Sequence, residues 1–449
     1  MSYLLNLVYL CVLLIASPWL LFCAIWQGKY REGFAQKFLG LAPQRQGDRP
    51  CIWLHAVSVG EANLLQTIVP QIERRFPNVE CVISVTTRTA FDMATEKYSS
   101  HTVFYCPLDF TWAVDRAMKQ VRPDMLVLVE LELWPNLLGA AKRHHASTAI
   151  VNGRLSEKSF RGYSRIRRFI QPLLESIDLI AVQNQAYADR FLQLGARADT
   201  VHVTGSIKFD GASTNRENSK SAELTTLAGI QPGDIVFLAG STQDPEEQFA
   251  FDTFQQLRGR YPQLKLILVP RHPHRFDEVA KLLDQSGVDW RRRTDLRSTG
   301  CQPVGKNSDS QAGCATRILL VDTIGELGAW WATAHIGFVG GSMGSRGGQN
   351  MIEPAAYGVA TSFGPNTKNF RDVVDLMRKR AAAVIVSNGD ELTTFVERCL
   401  SDPEYIAAFG QNAQRLVQDQ VGATNRTLDL FDPLILSAIQ RHDGHKNAA

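Results

Sequence analysis

The sequence predicts an α/β protein of two doubly wound, Rossmann-like domains facing each other across a cleft, with a membrane anchor helix at the amino end. Three observations predict it. From residue 50 onward short apolar strands alternate with longer helical stretches, an order that implies parallel sheets with helices on both faces. The alternation breaks once, at the polar run GASTNRENSKSAE of residues 211–223, and then restarts, so two such domains are expected. Ahead of both, residues 3–26 are apolar without one charged side chain.

At ~1.5 Å per residue, an apolar helix of that length covers the ~30 Å hydrocarbon core of a bilayer. It lacks the positive leader and short apolar core of a cleavable signal peptide. Pro18 predicts a kink, which leaves a shorter or interfacial anchor open as an alternative, as it does a buried core helix. Lys29, Arg31 and Lys37 follow, and positive charge on that side predicts that the rest of the chain is cytoplasmic. The anchor is expected over residues 1–27 and a basic juxtamembrane segment over 28–49.

The first domain is expected over residues 50–212, with strands at 51–54, 81–86, 102–105, 125–129, 147–151, 179–182 and 200–203. Helical windows lie between them at 61–75, 113–121, 134–144 and 185–194. A linker over 213–228 leads to the second domain, 229–410, with strands at 235–239, 265–270, 318–321, 336–339, 360–362 and 383–385. Residues 293–316, rich in Ser, Gly, Gln and Asn, read as a mobile insertion. A helix from Pro403 to about Gln420 is expected to cross back to the first domain, with a tail completing residues 411–449.

The 449 residues carry a formal net charge of only +3, which gives no ground for a nucleic-acid partner. Eight cysteines are scattered without a CxxC pair, as suits a reducing compartment, and the ten histidines form no HExxH motif. No metal and no cofactor are therefore predicted.

Chemistry gathers at strand ends. HAVSVGE at 55–61 leads from a strand into a helix and places Glu61 at the helix start, where the dipole favours an ionised carboxylate able to act as a base. An ordinary helix-start glutamate is the plainer alternative. ELELWPN at 130–136 puts Glu130 and Glu132 at the tip of a buried strand, pointing the same way by strand alternation. Two carboxylates there are costly unless paired or used, and Lys208 in GSIKFD is a candidate partner; a surface ion pair is the alternative.

In the second domain Arg271 ends a strand and can hold a phosphate in a bidentate fork, or else is a solvated loop arginine. DTIGEL at 322–327 offers turn backbone, at Gly325, Glu326 and Leu327, to the edge of a base. GFVGGSMGSRGGQNMIEP at 337–354 carries five glycines between 340 and 348, whose freed amides predict an anion site at the start of a helix beginning near Asn350. Glu353, one turn inside, can accept hydrogen bonds from a pair of ribose hydroxyls.

With NGRLS at 152–156, LVPRHPHRF at 268–276 and GPNTKNF at 364–370, these strings run in order along nearly the whole chain. The sequence resembles the 3-deoxy-D-manno-octulosonic acid (Kdo) transferases, membrane-anchored glycosyltransferases of lipopolysaccharide assembly. The resemblance implies a GT-B fold and inverting, metal-independent transfer of Kdo from CMP-Kdo to a lipid A precursor, at the cytoplasmic side of the cell inner membrane. It implies that Glu61 is the general base and that Glu130 and Lys208 stabilise the transition state. It assigns CMP binding to Pro270 and Arg271, to Gly325, Glu326 and Leu327, and to Asn350, Met351, Ile352 and Glu353. The chain departs from the family at STQDPEE, where an STHEGE-like string is usual, and at Asn366, where a histidine is usual. The alternative is a GT-B-type transferase or epimerase acting on another sugar nucleotide, neither of which needs the apolar leader.

Overall fold

The structure, a computed structural model, describes residues 2–26, 32–296 and 317–446. Lys29, Arg31 and all but the first four residues of the 293–316 insertion lie outside the described residues. The chain forms two compact units, one of Met1–Gly211 with Val421–Ala449, the other of Ala212–Gln420.

The first unit is built on a parallel sheet of β1 (Cys51–Ala56), β2 (Glu80–Val85), β3 (Thr102–Tyr105), β4 (Met125–Val129), β5 (Ser147–Gly153), β6 (Leu179–Val182) and β7 (Val201–Val203). Their order is β3-β2-β1-β4-β5-β6-β7. Every residue of β1, β4 and β6 is buried, as continuous apolar runs require when helices cover both faces. Succession reverses between the neighbours β1 and β4, so their connections leave to opposite faces and a crevice opens at their carboxyl ends. HAVSVGE and ELELWPN are the segments that leave those two ends. Within HAVSVGE, His55 is core: it is fully buried, its Nδ1 lies 2.9 Å from Ser84 Oγ, and burial pushes its pKa down to about 4.

The expected crossing helix, Pro403–Gln420, belongs to the second unit. The chain returns to the first with two later helices, Ala423–Asp429 and Asp432–Lys446. Asp210 of GSIKFD secures that return by accepting the amides of Gly422 (2.6 Å), Ala423 (3.2 Å) and Thr424 (2.5 Å). Ala423, Leu428, Phe431 and Ile435 then join the apolar core on one face of the sheet.

The second unit repeats the plan with β8 (Ile235–Thr242), β9 (Leu264–Pro270), β10 (Trp290–Arg292), β11 (Ile318–Leu320), β12 (Ile336–Val339), β13 (Ala360–Phe363) and β14 (Ala383–Ile385). Their order is β10-β11-β9-β8-β12-β13-β14, all parallel, with the reversal between β8 and β12. The edge strand β10, rich in arginine, lacks the apolar run that marks the others in sequence. Part of the expected linker is folded structure. Asn218 and Ser221 form a capping box that starts the helix Ser219–Leu227, and Arg216 donates to the carbonyls of Tyr357 and Ala334, both at 2.5 Å.

Candidate active site

In the first unit Ser58 caps the helix Val59–Arg75, which puts Glu61 in its first turn. The Glu61 carboxylate accepts the Val57 amide at 2.7 Å and the Ser58 hydroxyl at 2.9 Å. The helix dipole was expected to keep it ionised. Burial opposes that: it pushes the Glu61 pKa up, and the neighbouring charge of Glu130 pushes the same way, against the hydrogen bonds from Val57 and Ser58. A raised pKa makes the Glu61 carboxylate a stronger proton acceptor than an exposed one.

Glu130 follows the last residue of β4 in a left-handed conformation, φ 62°, so the expected strand alternation with Glu132 does not extend past Val129. Its carboxylate pairs with Lys208 Nζ at 3.2 Å. Lys208 sits in a 3₁₀ turn, Ile207–Phe209, whose first amide is held at 3.1 Å by the side chain of buried Asn152. The structure therefore brings Glu61, Glu130 and Lys208 into one cluster, although they lie far apart in sequence. It adds Glu132, whose pKa is raised to about 7 by burial first and then by the charges of Glu61 and Glu130. Sequence reasoning noticed Glu132 but assigned it no role, because only the folded turn shows which charges it faces.

A pH dependence follows. Glu132 binds its proton more tightly folded than unfolded, so its stabilising effect is complete below pH 4.5 and is lost as pH rises toward 7. The Glu132→Gln variant keeps the neutral shape at every pH. Its gain in urea midpoint over the parent should grow across that window and level off above it. A difference independent of pH would contradict the assignment.

In the second unit a cavity of about 250 Å³ lies at the carboxyl ends of β8, β9, β11 and β12. Gly240 and Ser241 reach it from β8, Arg271 from β9, Gly325 and Leu327 from β11, and Asn350 and Glu353 from the segment after β12. Arg271 is exposed at the rim, with its backbone amide bonded to Thr242 O at 3.0 Å, and among the described residues its guanidinium has no ion-pair partner. Asn350 Nδ2 donates to Glu353 Oε1 at 2.9 Å, while Asn350 Oδ1 accepts the Ile352 amide at 3.0 Å. Burial raises the Glu353 pKa, opposed by the Asn350 hydrogen bond and by the charge of Arg271.

Other candidates lie beside the cavity without lining it. Pro270 is the last residue of β9, and Met351 and Ile352 are buried in the core. The Glu326 carboxylate is taken by Arg293, at 3.0 and 3.1 Å, and by Thr323 Oγ1 at 2.7 Å. Ser241 was missed in sequence: it is a non-glycine residue at φ 55°, a strained conformation that places it on the cavity wall.

The glycine-rich loop differs from the expected anion cradle. Its first amides are already used: Gly341, Ser342 and Met343 donate to the carboxylate of Glu246 at 2.7, 2.9 and 2.9 Å. Gln243 adds a fourth amide at 2.9 Å. Glu246 is 1% exposed and lies in the STQDPEE string. Gly340 permits this packing, since a Cβ there would lie 2.6 Å from Ser241 O and 2.7 Å from Glu246 Oε2. The helix beyond, Ile352–Ala356, is five residues long and starts two residues later than expected, because Asn350 turns back on the Ile352 amide.

The comparisons with known proteins agree with one another. Residues 31–211 match the family described as 3-Deoxy-D-manno-octulosonic-acid transferase (kdotransferase). A relative from Haemophilus influenzae named 3-deoxy-D-manno-octulosonic acid transferase is 30% identical over 438 residues, covering 95% of this chain and 98% of its own. One of the same name from Bordetella pertussis is 32% identical over 391 residues, covering 85% of this chain and 86% of its own. Among solved structures, a glycosyltransferase from Rickettsia africae superposes with a TM-score of 0.53 at 11% identity, covering 87% of this chain and 99% of that one, a likeness of fold alone. The two-sheet α/β architecture is GT-B-like, and because the identity to the named relatives spans nearly the whole length of both chains, this protein belongs to the Kdo transferase family of glycosyltransferases.

Proposed function

We propose that this glycosyltransferase moves Kdo from CMP-Kdo to a lipid A precursor, with inversion at the anomeric carbon, without a metal ion, and at the cytoplasmic face of the inner membrane. The observation that carries the donor assignment is the convergence of Arg271, the Gly325 turn and Glu353 on one cavity. A guanidinium for one phosphate, turn backbone for a base edge and a carboxylate for ribose hydroxyls are the three contacts that a nucleoside monophosphate needs. A single phosphate asks for less countercharge than a diphosphate, and Arg271 supplies it.

In the step itself an acceptor hydroxyl oxygen bonds to the Kdo anomeric carbon as the bond from that carbon to the phosphate oxygen breaks. CMP departs with the electron pair, and Glu61 takes the hydroxyl proton. The Glu130–Lys208 pair supplies fixed charges to stabilise the charge that develops.

The test is incubation of detergent-solubilised protein with CMP-Kdo generated in situ and a tetraacylated lipid A precursor in EDTA, with products read by mass spectrometry. The acceptor mass should rise by one or more Kdo units. Product only with added Mg²⁺ would end the metal-free reading, and none under either condition would end the donor–acceptor assignment. Calorimetry tests the cavity directly: Arg271→Ala should weaken CMP binding about 10- to 100-fold and Glu353→Ala about 10-fold, the range for lost charge-assisted hydrogen bonds. Unchanged affinity in either variant removes that residue from the site.

A further inference from the structure

The N-terminal helix Ser2–Trp26 is long and apolar enough to cross a membrane by length and composition. Its contacts argue against crossing. Asn6, 7% exposed, donates to Thr111 Oγ1 at 2.7 Å and accepts the Thr111 amide at 3.1 Å. Tyr9, one turn on, donates to Asp109 Oδ2 at 3.1 Å and packs edge-on against Phe110. Beyond this helix, where the described chain resumes, Gln36 accepts the Tyr105 amide at 2.8 Å and Gly33 lies against the Tyr105 ring. The helix is thus held near its amino end, at Asn6 and Tyr9, by the same short stretch of the first unit that holds the chain at Gly33 and Gln36.

Along the helix one stripe, Asn6, Tyr9, Leu13, Ala16, Leu20 and Cys23, is buried or half-buried, with Leu5 and Ser17 beside it, at the three- and four-residue spacing of a single helical face. If the helix crossed the bilayer with its carboxyl end on the side of the first unit, Asn6 would lie across the ~30 Å hydrocarbon core, out of reach of Thr111.

We infer that this helix lies along the first unit and is embedded in one leaflet of the bilayer rather than crossing it. The inference rests on the membrane association proposed above. The outward face, including Leu7, Leu14, Ile15, Phe22 and Trp26, carries no charge, and exposed Trp112 continues it through its stack on Phe110. An interfacial helix ordinarily needs a polar face of its own; here the docked domain takes that place. Pro18 leaves the Leu14 carbonyl without its helical donor, and the Ser17 hydroxyl supplies one at 2.8 Å, so the helix continues unbroken with its backbone satisfied in lipid.

Docking also sets the height of the catalytic cluster above the leaflet. Asp109 accepts the amides of Asn136 and Leu137 at 3.1 and 2.8 Å, and Asn136 Nδ2 reaches Asn6 at 3.4 Å, so the helix is tied to the end of the ELELWPN turn.

The test uses full-length protein with an epitope tag ahead of Met1, in phosphatidylethanolamine–phosphatidylglycerol vesicles selected for outward-facing globular units. A protease added outside should remove the tag as fast as it digests those units. In the Asn6→Cys/Thr111→Cys variant an intramolecular disulfide, identified by peptide mass, should form in floated vesicles as it does in detergent. A protected tag, or no disulfide in vesicles, overturns the in-plane arrangement and leaves membrane association standing. Failure of the protein to float with the vesicles overturns both.

Discussion

The Glu61→Gln variant should lose about 10²–10⁴-fold in kcat, the range that general-base catalysis supplies, while its affinity for CMP stays within about twofold of the parent. Glu61, the proposed base, lies in the first unit, and the cavity proposed for CMP lies in the second. Glutamine preserves the local geometry: its carbonyl can accept the Val57 amide, and its NH₂ can donate to Ser58 Oγ. Stability should move the other way. Because folding raises the Glu61 pKa, its ionised form carries a burial penalty above pH 4.5 that glutamine avoids, so the variant should be somewhat more stable near neutrality. Kinetics, calorimetry and a denaturation curve on one sample check all three. A stable variant with undiminished turnover would remove Glu61 from catalysis, and one with weakened CMP binding would contradict the separation of roles.

Removing the carboxylate of Glu246 should have the largest structural effect. Four backbone amides converge on it in a nearly dry site. In Glu246→Ala those donors lose their acceptor together, at a cost of about 3–5 kcal/mol, the range for breaking a buried charged network. The expected readout is a lowered unfolding midpoint. The loop tied to Glu246 leads directly to Asn350 and Glu353 on the cavity wall, so CMP affinity should fall by about tenfold or more even in protein that remains folded. Glu246→Gln can accept from only part of the amide set and should fall between parent and alanine on both measures. Normal stability and normal CMP binding in the alanine variant would show that the loop holds its shape without the carboxylate.

Much of the architecture was legible in sequence because its signals are local. Apolar runs such as Leu126–Val129 and Leu266–Val269 can be satisfied only inside a sheet covered on both faces, and HAVSVGE carries its own helix-start chemistry at Ser58 and Glu61. Elements without such signals were missed. The edge strand β10 is half-buried and basic, and the capping box of Ser219–Leu227 uses serine where glutamate or glutamine is the familiar signature.

The candidate site divides along the same line. Residue type and position at strand ends were enough to nominate Glu61, Glu130, Lys208, Arg271 and Glu353. Sequence also offered Lys208 as a partner for the carboxylates at 130 and 132, and the structure joins it to Glu130; only tertiary structure could reveal that Glu61 and Glu132 have raised pKa values and that Glu326 is engaged by Arg293. The glycine-rich loop shows the difference most plainly: its glycines announced a backbone free for close approach, but the partner was a glutamate about 95 residues away in the chain. The apolar leader likewise announced a helix long and apolar enough to cross a membrane, whereas its docking on the first unit depends on hydrogen bonds from Asn6 and Tyr9 to residues a hundred positions on. Composition and periodicity determine how a segment meets its solvent; which charges meet, and so which proton is held or released, depends on distances that exist only once the chain has folded.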